Sequence, residues 1–254
     1  MPRAQVTLPF ADALAANTVS ASLVISNMDA EGDGMDSSST VSVRGSTPAQ
    51  WEAAVRRAFT AWPGGGSAAA EALLSAYAEE AAIDPQLAYD AINTDFGLTC
   101  AAQALGARLA RGSLRTRPVY LLYNAMPRSH WAPSGAARWP SHGLDLEELG
   151  WEWSFVPAPS DLAESALMLR LLGDFGGGGG VMPASWDWPP VGSEGAAVAT
   201  LVLAVDGVWP YGGAPNASVL SNVRLRVQVE SEWRSGRCSV LERAGFDERY
   251  WWCD

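Results

Sequence analysis

The chain contains no lysine. All 17 of its basic residues are arginines, set against 28 acidic residues, and the net charge is −11. The arginines are scattered, with short groupings at Arg56 and Arg57, from Arg108 to Arg117, and at Arg224 and Arg226. Phosphate backbones are held by clustered cations, so this distribution argues against nucleic acid as a partner. No apolar run reaches the roughly 18 residues of a membrane span. The opening "MPRAQVTLPFADALAANTV" has one Arg and no continuous apolar block, so no signal peptide is read there.

Cysteine and histidine are also scarce. Cys100, Cys238 and Cys253 lie far apart with no C-x-x-C pair, which argues against a zinc module. Spacing alone leaves two readings open: one disulfide with a spare thiol, which would imply an oxidising compartment, or three reduced thiols. The two histidines, His130 and His142, are separated by "WAPSGAARWPS", without the helical spacing of a metal site. No metal and no cofactor are expected.

What is present is core-forming material. The chain has 254 residues, of which 48% are hydrophobic. That suffices for one large α/β domain or two small ones. "SASLVISN" (20–27) and "ATLVLAVDG" (199–207) read as short strands, and "RPVYLLYN" (117–124) is the clearest strand, apolar on both faces. Such a run belongs in a sheet covered on both sides.

Helices are expected over 47–62, capped by Thr47, and over 67–81, capped by Ser67. Further helices are expected over 84–92, with Asp84 as cap and Pro85 at the first position, and over 95–112 and 161–175. Residues 222–236 read as a helix, although their alternation also fits a strand. "GGGGG" (176–180) reads as a flexible insert. Strands alternating with helices give an α/β class with a mostly parallel sheet and flanking helices.

Two segments could carry chemistry. "VISNMDAEGDG" (24–34) is a strand followed by a turn bearing Asp29 and Glu31. "PSHGLDLEEL" (140–149) carries His142 beyond the next strand. A carboxylate past one strand end and a histidine past another, in that order, follow the acid–histidine order of an α/β-hydrolase triad. On local sequence alone, an ordinary surface loop is the favoured reading of the histidine, and the acids fit an ordinary acidic turn as well.

Taken together, the segments resemble the type B carboxylesterases, the family that includes the cholinesterases and the non-catalytic neuroligins. "VISNMDAEG" is similar to the family's strand and "G-x-N-x-D-E-G" loop, "TDFGLTC" (94–100) to its "T-D-x-x-F-x-C-P" helix start, and "RPVYLLYN" to its "P-V-Y-L-Y-x-F" strand. "SHGLDLEEL" resembles its "G-A-x-H-G-x-D-L-x-Y-V-F" loop, and "WRSGRCSVLE" (233–242) its closing "Y-R-x-x-x-C-x-F-W-D". The five matches fall in the family's order along nearly the whole chain.

The resemblance implies an α/β-hydrolase fold and hydrolysis of a small carboxylic ester. His142 takes the place of the catalytic base and Glu31 that of the acid. "NMDAEG" carries one residue more than the family loop, so Asp29 stays an alternative acid. The resemblance also implies a Cys100–Cys238 disulfide, leaving Cys253 as the spare, and with it a secreted or secretory-pathway protein. Asn216-Ala217-Ser218 is an N-glycosylation sequon.

The nucleophile elbow G-x-S-x-G and the Gly-rich oxyanion loop are absent; the nearest serines are Ser67 in "GGSAA" and Ser193 in "VGSEG". In the family those parts lie upstream of the acid. Residues 1–254 are therefore expected to form a partial domain, its C-terminal half, inactive alone. The reading from another class is a neuroligin-type binding or adhesion module.

Overall fold

The structure is a computed structural model, which describes residues 21–29, 31, 43, 45–60, 66–111, 117–125, 149, 157, 159–193, 199–205, 225–231 and 233–245. In chain order its elements begin with β1 (Leu23–Met28), α1 (Pro48–Thr60), α2 (Ser67–Ala76), α3 (Ala78–Ile83) and α4 (Pro85–Thr94). A π-helical turn (Asp95–Thr99) then leads into α5 (Cys100–Arg111), β2 (Val119–Asn124) and α6 (Pro159–Gly177). After a 3-10 turn (Ala184–Trp186) come β3 (Thr200–Val205), β4 (Leu225–Glu230) and α7 (Ser235–Arg243).

Among the described residues, four strands form one open sheet in the order β1-β2-β3-β4. β1 pairs parallel with β2, and β2 parallel with β3, while β4 closes the far edge antiparallel to β3. The class is α/β, and the sheet is mixed.

Hydrophobicity explains the layering. β2 is buried along its whole length, as an apolar run at the middle of a covered sheet requires. Its alternation divides the core. Val119 joins the layer built by Trp51, Val55, Leu73, Tyr77 and Leu105, whereas Tyr120 and Leu122 pack with Met168, Leu171 and Trp188. Gly106 lets α5 come close to β2, since a Cβ there would stand 3.3 Å from Leu121 Cδ2.

Several helix starts follow their sequence. Thr47 and Gln50 form a reciprocal cap: Gln50 N–H donates to Thr47 Oγ1 (3.3 Å) and Thr47 N–H to Gln50 Oε1 (2.8 Å). Asp84 accepts from Gln86 N–H at 2.9 Å, with Pro85 in the first turn of α4.

Four expectations are corrected. Residues 225–230 are a strand, not a helix: the edge of β3 offers a full ladder, and Val227 and Val229 fit a pleated surface. The helix in that region starts only at Ser235. The stretch 67–81 is broken at Tyr77, whose side chain is wholly buried. Ser67 is the first residue of α2 rather than its cap; Gly66 holds the cap position, with no side-chain bond.

The glycine run 176–180 is not a free insert. Its first two residues finish α6, and Gly178 N–H and Gly180 N–H donate to the carbonyls of Asp174 (2.9 Å) and Phe175 (2.8 Å). Gly179 and Gly180 take positive φ (65° and 84°), the usual device for ending a helix.

Candidate active site

The acid turn grows out of the carboxyl end of β1. Asp29 N–H continues the ladder by donating to the Asn124 carbonyl at 2.9 Å, and Glu31 Oε1 accepts from Met28 N–H at 2.7 Å. The carboxylate of Glu31 thereby folds back over the strand from which it came. Both acids are buried, Asp29 with 1% and Glu31 with 7% of its surface exposed. Asn27 is fixed as well, its amide donating to Thr99 Oγ1 at 3.0 Å.

The two candidate acids have different surroundings. Asp29 Oδ1 accepts from Arg234 Nη2 and from the Tyr123 hydroxyl, each at 2.5 Å. The same guanidinium reaches Asp95 Oδ1 through Nη1 at 2.6 Å, and Tyr77 donates its hydroxyl to Asp95 Oδ2 at 2.9 Å. Arg237 donates to Glu80, lies 3.9 Å from Asp95, and stacks 4.7 Å above the Tyr77 ring. Asp29 therefore belongs to a buried ionic network, whereas Glu31 engages the backbone of its own turn.

Local backbone places these groups. In the π-helical turn Cys100 N–H donates to the Asp95 carbonyl, and Asp95 is fully buried. Arg234 precedes α7 with φ 54° and ψ 15°. Cys238, one turn into α7, is bonded to Cys100, with their Cα atoms 5.2 Å apart; these are the two cysteines that the resemblance pairs.

Burial pushes the Tyr77 hydroxyl well above the usual tyrosine range. The Asp95 carboxylate adds to the rise, and the Arg234 and Arg237 guanidiniums only partly offset it.

His142, His130, Asn216 and Cys253 lie outside the described residues. Of the residues singled out in the sequence, the structure places Asp29 and Glu31 on one turn and joins Cys100 to Cys238. It adds Arg234, Tyr123, Asp95 and Tyr77, which the sequence reading did not single out. Each of these pairs bridges distant segments; Arg234 and Asp29, for example, are 205 positions apart.

Ser67 opens α2, and the Ser193 hydroxyl donates to the Pro190 carbonyl at 2.8 Å. An apolar cavity of about 370 Å³, lined by Trp51, Val55, Phe59, Tyr89, Ile92 and Phe96 among others, includes neither acid. Among the described residues, no group of three or more His, Cys, Asp or Glu could hold a metal ion, and no helix is long and apolar enough to cross a membrane. No protein-family model matches the chain, and no curated protein matches it.

Proposed function

We propose that this chain carries the acid and the histidine of a carboxylic ester hydrolase of the type B carboxylesterase kind, an α/β-hydrolase whose nucleophile elbow belongs to a segment outside it. One observation supports this above the others. β1 and β2 are adjacent and parallel, in register from Leu23 opposite Val119 to Met28 opposite Asn124. The turn bearing Glu31 and the segment leading towards His142 therefore leave the same edge of the sheet. The carboxyl edge is where open α/β sheets build their sites.

In this reading Glu31 accepts from Nδ1–H of His142, which fixes the tautomer and lets Nε2 take a proton from a serine hydroxyl. Glu31 is given the acid role because it best matches the acid of the family loop; Asp29, which is bonded to Arg234 and Tyr123, is the alternative. The substrate is a small carboxylic ester.

The chain alone has no G-x-S-x-G and no Gly-rich oxyanion loop. Losing even one oxyanion donor costs roughly 10²–10³ in rate, so turnover by the isolated chain should be negligible. The test compares hydrolysis of a short-chain aryl ester by three proteins: the chain, the chain fused behind a half bearing G-x-S-x-G, and that fusion with His142→Ala. Activity that comes with the fusion and vanishes with His142→Ala is the expected result. A folded but inert fusion would favour the neuroligin-type binding reading. Turnover by the isolated chain that a serine-directed phosphonate blocks would reveal a nucleophile elsewhere in it.

A further inference from the structure

Arg234 is the point at which the segment before α7 meets the acid turn. Its side chain is 6% exposed, with Asp29 Oδ1 at 2.5 Å and Asp95 Oδ1 at 2.6 Å. The guanidinium also lies 5.1 Å over the Tyr123 ring and 5.8 Å over that of Trp233. Three stretches of backbone converge on it: the turn after β1, the π-helical turn and the end of β2. A left-handed conformation is uncommon for a residue with a long side chain, and here it is kept beside a buried double ion pair.

We infer that Arg234 is a positioning residue for the acid turn, holding Asp29 so that the carboxylate of Glu31, two residues on, stays fixed at the end of β1. The inference rests on the reading of Glu31 as the triad acid. The physical case is one of charge. Asp29 and Glu31 are two carboxylates on one short buried turn. A buried carboxylate without a partner is strongly disfavoured and draws its backbone towards water. Arg234 supplies the countercharge, the Tyr123 hydroxyl a second donor, and the Asn124 carbonyl holds the Asp29 amide at 2.9 Å. With Asp29 anchored on three sides, the Glu31–Met28 bond is given a fixed frame. A planar guanidinium can serve two carboxylates at once, which an ammonium on a flexible stem does poorly.

The whole chain has only two histidines, so their ring protons can be followed separately by NMR titration. His130→Gln identifies which signal is His142. Glu31→Gln should lower the pKa of His142 towards the unpaired value of about 6.5. Arg234→Gln should lower it too. This direction is diagnostic, because removing a nearby positive charge without moving the acid would raise a histidine's pKa. Arg234→Lys should lie between Arg234→Gln and the parent.

A second readout does not depend on His142. Exchange of the Met28 amide, which donates to Glu31, should speed up by roughly tenfold or more in Arg234→Gln, while the amides of β2 stay protected. Asp29→Asn keeps the Arg234–Asp95 pair and serves if Arg234→Gln fails to fold; Met28 exchange should rise there as well. A folded Arg234→Gln or Asp29→Asn protein with unchanged Met28 exchange overturns the inference. So does a His142 pKa that rises in Arg234→Gln. If Glu31→Gln moves neither histidine, the acid assignment has failed, and Met28 exchange alone then decides whether Arg234 holds the turn.

Discussion

Arg234 pairs with Asp95 at 2.6 Å, one helical turn from the disulfide that joins Cys238 to Cys100. The two cross-links run side by side between the same pair of segments. Cys238 N–H donates to the Arg234 carbonyl at 3.0 Å, and Cys100 N–H donates to that of Asp95. Gln103 Nε2 adds a third tie, donating to the Trp233 carbonyl at 2.6 Å.

The disulfide closes a separation of 138 residues. In the chain-entropy view its reduction should cost about 4–5 kcal/mol. Urea unfolding with and without reductant measures the loss. A non-reduced digest should yield a Cys100–Cys238 peptide, and the denatured, unreduced chain should show one titratable thiol, from Cys253. A Cys100–Cys253 peptide would contradict the pairing.

Tyr77 gives the stability an alkaline limit. Its folded pKa is raised above its unfolded value, first by burial and then by Asp95. The folded state thus keeps a proton that the unfolded state releases near pH 10. Its contribution is complete below about pH 10 and is lost as pH climbs beyond it towards the folded value. Urea midpoints taken on both sides of about pH 10 should fall more steeply for the parent than for Tyr77→Phe. At neutral pH the same substitution should cost about 1–2 kcal/mol, for the lost bond to Asp95.

Glu80 is 1% exposed and depends on Arg237, which approaches it from one turn of α7. Arg237→Met should cost about 3–5 kcal/mol by leaving a buried carboxylate without its partner. Adding Glu80→Gln should recover part of that loss, and a double-mutant cycle on unfolding free energies checks the coupling. Additive losses would mean that the pair contributes little.

Gly180 should not tolerate a side chain. Its φ is 84°, and a Cβ there would meet Ser22 Cβ at 2.5 Å, just before β1 begins. Gly180→Ala is expected to destabilise by about 1–3 kcal/mol, combining left-handed strain with the clash. Gly176→Ala, whose Cβ would meet nothing within 4 Å at the end of α6, should be neutral or slightly stabilising. Thermal midpoints of the two variants should therefore separate.

The parts of the fold set by local pattern were legible. β1, β2 and β3 stood out as short apolar runs, and Thr47 and Asp84 marked helix starts through chemistry that acts over two or three residues. β4 was misread because "LRVQVE" carries both periodicities, and only the waiting edge of β3 decides between them. The glycine run was misread because composition cannot separate a linker from a helix end that packs against Ser22. Asp29 and Glu31 were visible as acids beyond a strand, yet their difference was not. It comes from Arg234 and Tyr123, residues brought in by tertiary packing, for which a sequence pattern has no local signal.

The strand that carries the acid turn is made well before the strand it pairs with. Among the described residues, the hydrogen-bonded neighbour of β1 is β2, and residues 119–124 emerge after all of α1 to α5. At synthesis rates of roughly 5–20 residues per second, that is a wait on the order of five to twenty seconds. Meanwhile "LVISNM" lacks its β2 neighbour, and the helices between can form largely from near-neighbour contacts. Parallel pairing at this separation makes sheet closure the slow step. The period of greatest aggregation risk falls before β2 leaves the ribosome, so slowing translation between α1 and β2 should lower the yield of folded chain more than slowing it after β3.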